Sequence, residues 1–197
     1  MSSSSGTSIR TQTRAVVRSL LAQTAMGLFA DRGFDETTVD DVAAAAGVSR
    51  RTLFNYFASK EDLALSGLAE QGDKIAARLA ERPVDESPWV SLRHAFSVLE
   101  EIEASLEHRL QLITMIFSHD SLRAGHADKQ SRWTDLLAPV IETRLPPSPS
   151  RAFEARAIVA SAITSLGVAN AEWVRQSGET SMLDLYDIAV TAVRTAR

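Results

Sequence analysis

The sequence predicts an all-α protein with a small N-terminal part and a larger C-terminal part. Apolar residues recur with a period of about 3.6 residues along most of the 197-residue chain, and the alternating pattern of a β-strand is nearly absent. Serine or threonine stands where helices are expected to begin, and glycine stands where they are expected to end, at Gly33, Gly47 and Gly178. The segment between Pro83 and Pro88 is the first clear break between helices.

We expect the chain to divide into three regions. Residues 1–9 are rich in serine and are expected to form a disordered tail. Residues 10–65 are expected to form an N-terminal helical domain, and residues 66–197 a helical C-terminal domain. The first helix is predicted over residues 11–31, and its inward face is predicted to be made of Val17, Leu20, Leu21, Thr24 and Leu28. A further helix is predicted to run without interruption over residues 60–82.

The C-terminal part is predicted to be a series of longer helices. One is expected over residues 88–107, because proline favours the first position of a helix. Another is expected around residues 133–141, with a kink or loose turn at its internal proline. The proline-rich segment 145–150 is predicted to be a loop, and helices are expected over residues 151–176 and 183–196.

The segment Thr37–Asp62, TTVDDVAAAAGVSRRTLFNYFASKED, predicts two short helices joined by a turn. Thr38 is a good N-cap for the first helix, and Asp41 stands three residues later, where it can help to satisfy the first amides. Gly47 supplies the left-handed residue that ends such a helix, and Ser49 can cap the second. Two short helices joined by a glycine-containing turn have the spacing of a helix-turn-helix motif. The second helix of this motif enters the major groove of DNA.

The same stretch resembles the DNA-binding signature of the TetR family of bacterial transcription regulators. The resemblance covers about residues 14–63 and is carried by TVDDVA at 38–43, AGVS at 46–49, TLFNYF at 52–57 and SKEDL at 59–63, preceded by Gly33-Phe34. Phe54 is a departure, because many members have tyrosine there. The rest of the chain agrees with the family in length and helical character. The resemblance implies a helix-turn-helix DNA-binding domain followed by a ligand-binding and dimerisation domain, in a homodimer that acts as a repressor.

The second helix of the pair is expected to contact double-stranded DNA. Arg50, Arg51 and Thr52 are expected to meet base edges, since arginine is the best reader of guanine. The full set of expected DNA contacts is Thr38, Ser49, Arg50, Arg51, Thr52, Asn55, Tyr56 and Lys60. Within this set, Asn55 is expected to reach a base or a phosphate, and Ser49, Tyr56 and Lys60 to hold phosphates. The plainer interpretation is that the two arginines are solvated surface residues, although arginines in a first turn oppose the helix dipole.

The net charge of −4 does not indicate a nucleic-acid-binding protein. Residues 1–65 hold seven basic and seven acidic side chains, so this region is neutral as a whole. DNA binding must therefore depend on where the charges lie and not on their sum.

Composition excludes several other classes. The chain contains no cysteine, which excludes disulfides, zinc fingers and thiol nucleophiles. The four histidines lack the helical spacing of metal ligands, and the sequence contains no phosphate loop, dinucleotide fingerprint or serine-nucleophile motif. We therefore expect no metal, no cofactor and no enzymatic activity. The first residues lack the apolar core of a signal peptide and no apolar run reaches transmembrane length, so we expect a cytoplasmic protein without a membrane partner.

The C-terminal part is expected to bind an apolar or amphipathic small molecule and to form the homodimer. The residues expected to line a cavity are Trp89, His94, Phe96, Met115, Phe117, His119, Trp133 and Trp173. A stripe of small residues within 155–171 is expected to make close helix–helix contact across the dimer, with Ala162 and Gly167 at the contact. Ordinary core packing is the plainer interpretation of both features.

Two alternatives to a ligand-responsive repressor remain at this point. One is a helical small-molecule-binding or interaction protein without a role at DNA, which would leave the arginines and helix caps of residues 49–60 unexplained. The other is an activator of the same family, because the sequence does not encode where its operator lies. A palindromic operator is expected in either case for a dimeric regulator.

Overall fold

The computed structural model describes residues 4–101 and 105–195, without the side chains of residues 4–11 and of Ala69. These residues form α-helices and no β-strand, as predicted. The helices are α1 (Ser4–Arg32), α2 (Val39–Ala45), α3 (Arg50–Phe54), α4 (Lys60–Ala64), α5 (Gly67–Ala80), α6 (Pro88–Phe96), α7 (Val98–Glu101), α8 (Leu106–Ser118), α9 (Asp120–Glu142), α10 (Arg151–Arg175) and α11 (Met182–Thr195). The chain divides into two compact units, residues 1–67 and residues 68–197.

The first helix begins earlier than the sequence indicates. Helix α1 starts at Ser4, so residues 4–9, which were expected to lie in a disordered tail, are helical, while residues 1–3 lie outside the described residues. Adding a residue to an existing helix is far easier than nucleating one, so a long helix can extend into a segment of modest propensity. The buried stripe of α1 contains Leu21, Ala25 and Phe29. Leu20 was predicted to face inward and is 57% exposed, because it lies about 100° around the helix from Leu21.

The helix predicted over residues 60–82 is interrupted where the two compact units meet in the sequence. Helix α4 ends at Ala64, and α5 begins at Gly67. The hydroxyl of Ser66 donates a hydrogen bond to the carbonyl of Leu63 at 2.9 Å. Serine side chains that bond to the preceding turn in this way compete with the regular helical pattern. Apolar periodicity continues across the break, and the sequence pattern alone therefore does not reveal it.

The C-terminal unit is built around α10, which contacts α6, α8, α9 and α11. Its inner face is fully buried at Val159, Ala162 and Leu166. Among the described residues, α10 is also the one helix whose length and composition would suffice to cross a membrane. A central core helix satisfies the same test, and α10 packs against four other helices of its unit.

Two further segments differ from the predicted helices. The helix expected over residues 88–107 breaks at Ser97, between α6 and α7. There the hydroxyl of Ser97 donates to the carbonyl of His94 at 2.8 Å, which again replaces part of the helical pattern. Residues 102–104 of the same prediction lie outside the described residues. Helix α9 begins thirteen residues before the predicted start at 133, at Asp120, and includes Pro139.

Helix α5 is held near both ends by residues of α9 and of the turn after it. The indole nitrogen of Trp133 donates to the carbonyl of Leu68 at 3.0 Å, and the indole lies against Gly72. At the other end, the guanidinium of Arg144 donates to the carbonyls of Leu79 (2.7 Å), Arg82 (3.1 Å) and Pro83. Leu79 lies in the last turn of α5, and Arg82 and Pro83 follow the helix, so Arg144 binds carbonyls at and just beyond its C-terminal end. Helix α5 is therefore joined at two separate points to α9 and to the turn that follows it.

Candidate nucleic-acid interface

Helix α2 begins with the cap that the sequence predicts. The amide of Asp41 donates to the hydroxyl of Thr38 at 3.1 Å, and the amide of Thr38 donates to the Asp41 carboxylate at 2.8 Å. The Thr38 hydroxyl also donates to the same carboxylate at 2.6 Å. Hydrogen bonds from the side chain and the amide of Thr38 hold the pKa of Asp41 below its usual value. Both donors of Thr38 are thus directed to Asp41.

The turn between α2 and α3 requires a glycine. Gly47 has a φ of +67°, in the left-handed region that other residues rarely adopt. Around it, the amide of Gly47 donates to the carbonyl of Ala44 at 3.1 Å, and the amide of Val48 donates to Ala43 at 2.9 Å. These two bonds satisfy carbonyls at the end of α2 and redirect the chain into α3. The predicted role of Gly47 is confirmed.

Helix α3 is short, and its position depends on one cap and two buried side chains. The hydroxyl of Ser49 accepts a hydrogen bond from the amide of Thr52 at 3.0 Å, which confirms Ser49 as the N-cap. Leu53 and Phe57 are each 1% exposed and anchor this segment in the core of the first unit. Because Leu53 points inward, Arg50, Arg51 and the neighbouring residues are presented to solvent. The local fold thereby exposes the predicted DNA-reading residues on one surface.

Arg50 is oriented by contacts to two neighbours. Its guanidinium lies 2.8 Å from the carboxylate of Asp40 on α2, and both side chains remain about 60% exposed (61% and 62%). The same guanidinium lies 5.5 Å from the ring centre of Phe54. An exposed pair of this kind contributes little to stability, about 0–1 kcal/mol. It does hold a long and flexible side chain in one place at the surface.

The remaining expected contacts on α3 are also at the surface. Arg51 and Asn55 are exposed, and Thr52 is half-buried. The hydroxyls of Ser49 and Thr52 lie 2.8 Å apart and share a hydrogen bond, which uses one of their two hydroxyl protons. The other proton remains for an acceptor such as a phosphate oxygen. The structure thus brings Ser49, Arg50, Arg51, Thr52 and Asn55 together on the surface of one short helix and its two ends.

Tyr56 lies just beyond this helix and is contacted by α1. The Arg14 guanidinium lies 5.1 Å from the centre of the Tyr56 ring and donates to the carbonyl of Asn55 at 2.8 Å. The Arg18 guanidinium donates to the carbonyl of Tyr56 at 2.5 Å and lies 4.4 Å from the ring centre of Phe57. Helix α1 therefore contacts the C-terminal end of α3 through two cationic side chains.

Lys60, which is expected from the sequence to hold a phosphate, contacts groups of its own unit. Its ammonium group donates to the carbonyl of Phe34 at 2.7 Å and to that of Thr37 at 3.1 Å, and it lies 4.1 Å from the centre of the Phe34 ring. Two of its three protons are therefore used to close the turn between α1 and α2. The side chain is half-buried and has a structural role within the unit.

Sequence reasoning missed three residues of this surface. Asp40 lies in the first turn of α2 and pairs with Arg50 on the next helix. Arg14 and Arg18 were given no role. Their spacing of four residues, which places both on one face of a helix, was the available signal. Nothing in the sequence alone indicated that this face meets the end of α3.

The C-terminal residues expected to line a ligand cavity fall into two groups. Phe96, Trp133 and Trp173 are buried and engaged in packing, with Phe96 edge-on to Tyr186 at 5.5 Å and Trp173 5.0 Å from the guanidinium of Arg109. The others are half-buried, namely Trp89, His94, Met115, Phe117 and His119.

Two buried hydroxyls of the C-terminal unit lack a hydrogen-bond partner among the described residues. They are the Oγ of Ser165 on α10 and the Oη of Tyr186 on α11. Burial raises the pKa of Tyr186 above its ordinary value, so this hydroxyl is neutral and is able to donate. Burial also lowers the pKa of His126 on α9, which favours the neutral imidazole.

These features define the class of the protein. Two capped helices joined by a left-handed glycine, with exposed arginines at the start of the second, form the helix-turn-helix arrangement of a DNA-binding protein. Residues 21–66 match the family model for bacterial regulatory proteins of the tetR family.

The chain is similar in sequence to several transcriptional regulators. The chain is 28% identical to the transcriptional regulator TcmR of Streptomyces glaucescens, over 73% of the chain and 66% of TcmR. It is 42% identical to the transcriptional regulator EthR of Mycobacterium tuberculosis, over 34% of the chain and 33% of EthR. The chain thus spans less than two thirds of the length of these curated relatives.

The fold of the whole chain is similar to that of solved regulators. Thermus thermophilus FadR, a TetR-family transcriptional repressor solved in complex with lauroyl-CoA, aligns with a TM-score of 0.58 at 24% identity, over 90% of this chain and 93% of that one. Bacillus subtilis FadR, solved with stearoyl-CoA, aligns with a TM-score of 0.56 at 17% identity, over 90% and 98%. The family match thus assigns residues 21–66 to the tetR family of bacterial regulatory proteins, and the likeness to the solved structures shows that the chain shares their fold.

Proposed function

We propose that this protein is a ligand-responsive regulator that binds a palindromic operator as a homodimer and represses transcription until a small molecule releases it. The observation that carries the proposal is the exposed surface of α3, where Arg50 and Arg51 stand beside a capped turn. The related chains are named as transcriptional regulators, which supports the interpretation of this protein as a regulator and not as an enzyme. A regulator of this kind acts in the cytoplasm, where bacterial DNA lies.

The proposed DNA contacts are of two kinds, those to base edges and those to phosphates. Arg50 and Arg51 read base edges, with Thr52 and Asn55 beside them, since a bidentate arginine–guanine pair discriminates by about 1–3 kcal/mol. The hydroxyls of Ser49 and Tyr56 hold phosphates, which position the helix without specifying sequence. Thr38 and Lys60 are left out of this set, because their donors are used within the unit. They act by keeping α2 and the preceding turn in place.

Dimerisation is proposed through α10 and α11. Large apolar side chains are exposed on both helices, at Val168 (58%), Ile188 (65%) and Val193 (58%). The outward residues of α10 are otherwise mostly small, including Ala157, Ala160, Thr164 and Ala171. Small residues allow a second copy of the helix to approach closely. A single DNA-binding head buries about 600–1,000 Å², whereas two heads on a two-fold axis bind two half-sites with the affinity that a regulator needs.

The proposed interface differs in detail from the one expected from the sequence. Ala162 was expected at the dimer contact, but it is fully buried inside the C-terminal unit. A small residue in a helical stripe can allow close approach either of a helix of its own chain or of a helix of a second copy, and the sequence does not distinguish the two. Ala162 accommodates a helix of its own chain, and Ala160 lies on the exposed side of α10.

The effector is proposed to bind within the C-terminal unit, with the half-buried group of candidates around it and the hydroxyls of Ser165 and Tyr186 as polar contacts. The buried polar residues described in this unit are uncharged in their favoured states, which suits an apolar or amphipathic molecule whose buried part is neutral. The two FadR proteins of similar fold were solved with acyl-CoA molecules, whose acyl chains fit this description. A typical coupling of about 1–3 kcal/mol would release DNA 5- to 150-fold.

The test is to select duplexes bound by the full-length protein from a random-sequence library and to measure their affinity. The proposal expects an enriched two-fold symmetric sequence, with half-sites about one helical turn apart or somewhat more. Titration of the bound complex with lauroyl-CoA and with dodecanol then examines release. Failure to enrich any sequence would overturn the DNA-binding function. An enriched sequence without two-fold symmetry would overturn the dimeric mode of binding.

A further inference from the structure

Two arginines of α1, outside the helix-turn-helix motif, contact the C-terminal end of α3. Arg14 donates to the carbonyl of Asn55 at 2.8 Å, and Arg18 donates to the carbonyl of Tyr56 at 2.5 Å. They stand one helical turn apart, so both side chains leave the same face of α1. Each guanidinium also lies by an aromatic ring, that of Tyr56 for Arg14 and that of Phe57 for Arg18.

These contacts have a clear physical basis. Helix α3 is five residues long, so most of its hydrogen-bonding groups belong to its ends. The carbonyls at its C-terminal end carry partial negative charge, which a cation stabilises. A guanidinium is planar and can donate to a carbonyl while it lies against a ring. Without such contacts, the C-terminal end of this short helix is held by Leu53 and Phe57, since the Ser49 cap and the Arg50–Asp40 pair act at its first turn.

We propose that Arg14 and Arg18 are positioning residues for sequence reading. They hold the C-terminal end of α3 against α1 and thereby set the angle at which Arg50 and Arg51 enter the major groove. Reading of a guanine by arginine is bidentate and planar, so it depends on that angle, whereas a phosphate contact tolerates more movement. The inference rests on the proposed DNA-binding function and adds two specificity-determining residues to it.

The alternative role for these arginines is direct contact with phosphates. Arg18 is half-buried, and its observed contacts are directed to Tyr56 and Phe57. Arg14 is exposed, so its case needs a measurement that separates the two roles. Loss of one phosphate contact lowers the slope of log affinity against log salt by about 0.9, and it weakens all sequences alike. Loss of positioning lowers the preference for the selected sequence and leaves that slope unchanged.

The experiment compares the full-length protein with its Arg14→Met and Arg18→Met variants. Methionine keeps an apolar stem of similar width and removes the charge and the donors. Arg32→Met is the matched control, because it removes one exposed positive charge from the last turn of the same helix. Each protein is titrated with a duplex selected by the wild type and with a random-sequence duplex, at several salt concentrations. Thermal unfolding of each variant checks that it folds.

We expect the ratio of selected to random affinity to fall about tenfold in Arg14→Met and in Arg18→Met, the equivalent of one displaced base contact. The salt slope should stay at the wild-type value, and Arg32→Met should keep the wild-type ratio. An unchanged ratio, or equal weakening of both duplexes with a lower slope, would overturn the inference. If Arg18→Met unfolds, the Arg14→Met variant decides alone. A wild type without any sequence preference would instead refute the proposed function itself.

Discussion

The guanidinium of Arg50 lies 2.8 Å from the carboxylate of Asp40, and this ion pair joins the first turn of α3 to the first turn of α2. The pair places a negative charge beside a residue that is proposed to read DNA. We expect the pair to act against indiscriminate binding to phosphates, because it partly neutralises the charge of Arg50 until a base edge replaces the carboxylate.

Replacing Asp40 by asparagine should therefore raise the affinity for random-sequence DNA and lower sequence preference. We expect an increase of about two- to fivefold, in line with the small free energy of an exposed ion pair. Titration of a random and a selected duplex measures both effects. Glu36→Gln is the control, since Glu36 is an exposed acid of the same unit. Equal gains in the two variants would mean that only net charge matters.

A pH-dependent contribution to stability is expected at Glu86. Its carboxylate accepts hydrogen bonds from the Arg82 guanidinium at 3.0 and 2.5 Å and from the Ser91 hydroxyl at 2.7 Å. The bonds from Arg82, with that from Ser91, lower the pKa of Glu86 to about 2. A carboxylate whose pKa is lower in the folded state stabilises the fold above its unfolded pKa of about 4.3. That contribution is lost as the pH falls towards 2.

The Glu86→Gln variant should thus be less stable than wild type at pH 7, by about 1–2 kcal/mol. The difference should shrink between about pH 4.5 and pH 2, as the wild-type carboxylate is protonated. Urea unfolding of both proteins at a series of pH values measures this difference in stability. Glu81→Gln, at an exposed position five residues earlier, should show no such difference. A Glu86→Gln effect that is constant with pH would contradict the assignment.

Because Trp133 contacts Gly72, we expect substitutions at these two positions to have coupled effects on stability. A Cβ added at Gly72 would lie 2.5 Å from the indole nitrogen of Trp133, which is closer than atoms pack. Gly72→Ala should therefore destabilise the protein by about 1–3 kcal/mol. In the Trp133→Phe background the ring is smaller and lacks that nitrogen. Gly72→Ala should therefore destabilise the protein less in that background than in wild type. A double-mutant cycle by thermal or urea unfolding measures this coupling.

Gly67→Ala is the matched control for that cycle. Gly67 begins the same helix, and no atom within 4 Å would meet its added Cβ. We expect it to be neutral or slightly stabilising, because alanine favours the helix. Additive effects of Gly72→Ala and Trp133→Phe would show that the indole does not pack against Gly72 in solution.

How far the sequence predicts the structure differs between the two units. In the first unit, Thr38, Gly47 and Ser49 act on residues three or four positions away, so their roles in capping and turning are visible in the sequence. The partners of Asp40, Arg14 and Lys60 lie between 10 and 41 positions away. Such contacts depend on how the helices pack, and helical periodicity does not encode them.

At the border of the two units and within the second unit, periodicity predicted the helices and missed their interruptions. The breaks at Ser66 and Ser97 come from serine hydroxyls that bond to the preceding turn. Serine elsewhere in a helix leaves the pattern intact, so these breaks have no distinctive sequence signal. The same limit applies to Ala162 and Ala160, which are two residues apart on α10 and lie on opposite sides of it.

Dimerisation is tested by a charge on the exposed side of α10. Val168→Glu should dissociate the dimer, because a carboxylate at an apolar contact loses its hydration without gaining a partner. Val84→Glu makes the same change at a position that is 64% exposed and lies outside α10 and α11, so it should stay dimeric. Sedimentation equilibrium at micromolar concentration measures the mass of each. A wild-type protein that is monomeric under these conditions would contradict the proposed interface.

The central claim is that Arg50 and Arg51 make this protein a sequence-specific DNA-binding protein, and the most direct measurement is the affinity of the Arg50→Ala/Arg51→Ala variant for the selected duplex. Both side chains are exposed, so the variant should fold and unfold like wild type. We expect its affinity for the selected duplex to fall to that for a random duplex, since each lost base contact costs about 1–3 kcal/mol. Wild-type affinity for the selected duplex in this folded variant would contradict the account.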